Sequence, residues 1–76
     1  MVRELDTVVL TRDIAEHALK RGDVGAVVHC YPDQKAFEVE FVTAEAKTVA
    51  LMTLASADIR PMNSGEILHV RELTPT

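Results

Sequence analysis

Apolar positions along the chain fall into brief runs, at residues 7–10, 26–31, 36–42, 48–54 and 67–70, with turn-forming residues between most of them. Short runs at this spacing predict a mainly all-β fold, a small barrel or sandwich of about five short antiparallel strands. The clearest is Phe37-Glu38-Val39-Glu40-Phe41, whose strict alternation sends the two phenylalanines and Val39 to one face and both glutamates to the other. Before it, Tyr31-Pro32-Asp33-Gln34-Lys35 reads as a turn, so residues 26–31 and 36–42 should form a hairpin. Residues 48–54 differ. Val49 and Leu51 share one parity and Ala50, Met52 and Leu54 the other, which predicts a strand covered on both faces.

Two segments carry competing signals. In residues 13–22, Asp13 with Glu16 three residues later resembles a capping box, and Gly22 suits a position just past a helix end. Ten residues make a marginal helix, so we expect a loop with one helical turn within 13–21. Residues 66–73 alternate imperfectly and read either as an extra strand or as a short amphipathic helix. Their simplest use is to cover the second apolar face of residues 48–54, in the same barrel or, by exchange about a two-fold axis, in a second copy. Asn63-Ser64-Gly65 would act as the hinge.

The 76 residues are room for one domain, with a core at 4–61 and an extension at 62–76. A chain this short buries only about 60% of its unfolded surface, which favours closure of the sheet or pairing of subunits. Eight Lys and Arg against twelve Asp and Glu give a net charge of −4, so a polyanion is repelled on average. Cys30 is the only cysteine, which rules out an intramolecular disulfide and makes a reducing cytoplasm the expected compartment. The longest uninterrupted apolar stretch, residues 49–52, is far short of the roughly 18 that suggest a membrane span. Arg3, Glu4 and Asp6 interrupt the place where a signal peptide needs its apolar region.

Residues 19–28 are the most informative. Gly22 and Gly25, with Asp23 between them, allow a sharp turn and then a close backbone approach at the entry to a bent strand. This stretch resembles the glycine-aspartate-x-glycine-x-valine signature of SH3-like small barrels, including ribosomal-type KOW modules. Asp58-Ile59-Arg60-Pro61 fits the short turn and brief fifth strand of such barrels. Together with residues 4–10, 37–42, 48–54 and 66–73, these segments look like the bacterial family named domain of unknown function 4926. The resemblance implies an SH3-like barrel and supplies no catalytic or ligand-binding residues. The chain departs from that pattern where relatives often carry proline or glycine: Ala15 and Ala18 in the first loop, Gln34 and Ala46 in later turns.

No nucleophile elbow, phosphate-cradling glycine loop or HExxH sequence is present. Ser56 and Ser64 fall in turns. Glu38 and Glu40 stand about 7 Å apart on one strand face, a spacing open to a metal or an acid and base pair, but a solvated face is the simpler reading. His17, His29, His69 and Cys30 lack zinc-site spacing, and His29 and Cys30, as strand neighbours, point to opposite faces. Cys30 shares parity with Val28 and reads as a small buried apolar side chain. Neither a cofactor nor a metal is expected.

The expected function is a non-enzymatic, self-associating protein-interaction module, with an antitoxin-like or immunity-like protein as a variant. Its candidate partner surface comprises His17, Tyr31, Met52, Leu54, Ile67 and Leu68. The alternative is a KOW-like nucleic-acid binder using a basic patch of Arg12, Lys20 and Arg21. Against it, the aromatic inventory is Tyr31, Phe37 and Phe41, two of them on the predicted core face, which leaves little to stack bases upon.

Overall fold

The computed structural model describes residues 2–72. Five strands, β1 (Thr7–Leu10), β2 (Val24–Cys30), β3 (Ala36–Val42), β4 (Thr48–Ala55) and β5 (Ile59–Pro61), form one antiparallel sheet. Helical structure among the described residues is limited to two 3-10 turns, Ala15–His17 and Ser56–Asp58. The first is the single turn expected within 13–21. It lacks the capping box: Asp13 instead accepts a hydrogen bond from the Arg21 amide at 2.8 Å, closing the loop eight residues on.

The strand order is β4-β3-β2-β1-β5, so β5 returns to pair with β1. One core serves all five strands: Val8 and Leu10 of β1, Val27 of β2, Phe37, Val39 and Phe41 of β3, Ala50 and Leu54 of β4, and Ile59 of β5, with Ile14 and Leu19 from the first loop. A single sheet can enclose one such cluster only by curling around it. The curl stops short of closure, since β4 and β5 are not paired with each other, and the expected barrel is therefore open along that seam. The Ser56–Asp58 turn joins the two edges.

Phe37, Val39 and Phe41 are at most 3% exposed, as their alternation predicts, and burying each contributes roughly 1.5–3 kcal/mol. In β2 the pairing shifts between Val27 and His29, which makes Val28 the extra residue of a bulge. Val28 is consequently 40% exposed while Cys30 still packs against the core. The parity shared by Val28 and Cys30 is thus broken by one inserted residue, although Cys30 does reach the interior.

β4 corrects a larger expectation. Its inward parity, Ala50, Met52 and Leu54, packs on the core, and a register shift beside Phe41 and Val42 turns Val49 there too, but among the described residues nothing covers Leu51, which is 57% exposed. An extra strand or helix was expected at residues 66–73; residues 66–72 form neither, and Leu73 lies outside the described residues. Ile67, Leu68 and Val70 are 94%, 65% and 90% exposed, so the tail is held by its charged side chains and not by its apolar ones.

Glycine geometry explains residues 22–25. Gly22 has φ 95°, a left-handed conformation that costs other residues about 1–2 kcal/mol. A Cβ on Gly25 would meet Phe41 Cε1 and Val39 Cγ1 at 2.8 Å, so β2 can lie this close to the core only without a side chain there. Four non-glycine residues also have positive φ, Leu5, Ala18, Gln34 and Ala46. Three of them, Ala18, Gln34 and Ala46, are among the four positions at which the chain departs from the family pattern; the fourth, Ala15, is not.

Candidate functional site

Two features of the surface stand out, the free edge of β4 and an anchored tail beside a groove. Beyond its ladder with β3, β4 makes a backbone hydrogen bond only at its end among the described residues, from the Ala55 amide to Asp58 Oδ2 at 3.1 Å. None of its eight residues is charged. On its outer face Leu51 stands opposite Glu40, and Val42, 51% exposed, lies two residues further along β3.

The outer face of the hairpin is polar further along. Tyr31 Oη donates to Glu38 Oε1 at 2.9 Å, Thr53 Oγ1 donates to the same oxygen at 3.1 Å, and Thr48 Oγ1 donates to Glu40 Oε2 at 2.9 Å. Both carboxylates are thereby engaged by hydroxyls. The Glu38 hydrogen bond pushes the Tyr31 hydroxyl pKa up, and His29 meets the Tyr31 ring edge-on at 4.9 Å. Burial, then Glu4 and Asp6, push the Cys30 thiol up, away from the thiolate form that a nucleophile needs. Among the described residues no group of His, Cys, Asp and Glu has the arrangement to hold a metal ion.

The tail is fixed at two points. Arg60 of β5 grips Glu66 through two parallel hydrogen bonds of 2.9 and 2.7 Å. That bond first, and the Asn63 amide second, pull the Glu66 carboxyl down from 4.5 to about 2. Further on, Arg71 is bound bidentately by Asp23, with Nε to Oδ1 at 2.8 Å and Nη2 to Oδ2, while Nη2 also donates to the Ala18 carbonyl at 2.9 Å. Asp23 is 8% exposed and also accepts from the Lys20 amide at 2.9 Å. Burial pushes its carboxyl up, but the Arg71 hydrogen bond, the Lys20 amide and the charges of Arg71 and His69 together outweigh that and leave it lowered. Beside this pair lies a groove of about 490 Å³, lined in part by Leu19, Phe41, Val49 and Glu45.

The expected partner-surface residues do not converge. His17 is exposed on the first loop, Tyr31 and Met52 are half-buried, and Ile67 and Leu68 project from the tail. Leu54 is 3% exposed inside the core and is not part of any surface. Of the basic patch, Arg12 is held by Asp58 at 2.8 Å, which lowers the Asp58 carboxyl, whereas the side chains of Lys20 and Arg21 are exposed. The residues that sequence reasoning missed are Arg71, Glu66 and Arg60. Asp23 drew notice as a turn residue, but its partner lies 48 positions away and no local spacing links them.

A family model described as Domain of unknown function (DUF4926) matches residues 4–61. Neither the curated proteins nor the solved structures offer a match to the chain. No helix among the described residues is long and apolar enough to cross a membrane.

Proposed function

Since the chain belongs to the DUF4926 family, whose description carries no activity, its own surface must supply the functional reading, and we propose a non-enzymatic interaction module that self-associates through the free edge of β4. The observation that carries this reading is an eight-residue, uncharged edge strand with unpaired backbone groups and Leu51 exposed beside it. Sheet edges of this kind template the addition of another strand, and soluble proteins usually blunt them with charge, proline or brevity. A second copy is the occupant that the strand itself suits. Two β4 strands meeting antiparallel about a two-fold axis bring no like charges together, and the contact is self-complementary by symmetry. The hydroxyl-engaged glutamates and a thiol pushed up by burial support a binding role over a chemical one.

Light scattering coupled to size exclusion tests the reading on the full chain. The wild type should run at twice its 8.4 kDa mass at tens of micromolar, and Leu51→Lys, which places a charge at the edge, should run as a folded monomer. A monomeric wild type, or a Leu51→Lys dimer, contradicts it.

A further inference from the structure

The Asp23 pocket already holds a guanidinium, that of the chain's own Arg71, and this occupancy defines its ligand chemistry. Asp23 offers both carboxylate oxygens to a planar fork, and the Ala18 carbonyl takes a further N–H. Lysine, a point charge with no fork, could not match this geometry. The tail fills only the polar part of the site. Val70 borders the groove yet is 90% exposed, so the half-buried Val49 of the wall receives no side chain from it, while Leu19 and Phe41 behind it are already buried in the core. The tail's other anchor, Arg60 to Glu66, is a bidentate pair at the surface, and weakening it frees the tail without touching Arg71.

We infer that the groove is a docking site for an arginine-bearing extended peptide of another protein, with an apolar residue next to the arginine, and that Arg71 is an internal competitor for it. The net charge of −4 and Glu45 in the groove wall favour a cationic ligand over an anionic one. The groove takes only the Val49 side chain from β4, whereas self-association uses the backbone edge of that strand, so peptide affinity measured in the Leu51→Lys monomer separates the success or failure of the two.

The test is a titration of the ¹⁵N-labelled full chain with acetyl-Leu-Arg-Leu-amide. In Arg71→Ala the peptide should give saturable shifts at the amides of residues 18–23 and 43–45, with a dissociation constant at least tenfold below that for the wild type. Replacing the peptide's arginine by citrulline should abolish binding. No saturable shift in Arg71→Ala, equal affinity for wild type and variant, or equal binding of the citrulline peptide would overturn the inference. If Arg71→Ala does not fold, Glu66→Gln, which loosens the tail and leaves Arg71 in place, should bind the peptide more tightly than the wild type, and unchanged affinity there overturns it equally. A wild-type affinity that falls as protein concentration rises would give the pocket to the tail of a second copy and overturn the assignment to another protein.

Discussion

The two edges of the sheet are built on opposite plans. β5 is three residues long, contains Pro61 and carries Arg60, whose side chain is clamped by Glu66. β4 is eight residues long, uncharged, and leaves Leu51 in solvent. Each device on β5 is one that prevents strand addition: brevity limits the hydrogen bonds on offer, proline removes a donor, and charge resists desolvation. β4 has none of them. In one sheet with one core, such a difference fits the proposed roles, β5 closed to neighbours and β4 open to a second copy.

The most disruptive way to break the contrast is to prevent the sheet from curling. Gly25→Ala places a methyl within 2.8 Å of Phe41 and Val39, and should cost about 2 kcal/mol in denaturant unfolding, within the usual range for overpacking. An unchanged midpoint would mean that β2 has room to spare. A smaller change sharpens the contrast. Ala46, at φ 64° in the turn that leads into β4, should tolerate glycine with a gain of about 1 kcal/mol, because the left-handed conformation no longer strains a Cβ. Gln34→Gly should behave alike, and destabilisation by either would show that the turns are not strained.

The smallest effect concerns the guard on β5. With its pKa lowered, Glu66 favours the anchored tail fully above its ordinary value near 4.5, and that preference is lost as pH falls through about 2. Carbon-detected titration of the Glu66 carboxyl should therefore show a depressed pKa that returns toward 4.5 in Arg60→Ala. A Glu66 that titrates at its ordinary value in the wild type would mean that the clamp is not formed in solution.

How far these features were legible in the sequence depends on the distance over which their causes act. The alternation of Phe37, Val39 and Phe41 is local, and it gave β3 with its correct inner face. The glycine pair was equally readable, because a turn and a close approach each have a residue-level signature. Cys30 shows the limit of such rules: one bulged residue at Val28 cancelled the parity argument while leaving the burial intact. For β4 the cover expected over its second face is absent within the described residues of one chain: Val49 turns to the core at a register shift that no local pattern announces, and Leu51 stays exposed. The Asp23 anchor was out of reach. Its two halves are 48 residues apart, and Arg71 sits in a tail whose apolar residues suggested a different use.

The two edges of the sheet are unequal, and hydrogen exchange measured at two protein concentrations reads that inequality strand by strand. Amides of β4 should exchange more slowly at hundreds of micromolar than at a few micromolar, while those of β5 stay unchanged, as expected when a second copy pairs with β4 alone. Exchange from β4 that is independent of concentration, or a protection that rises equally at both edges, would contradict it.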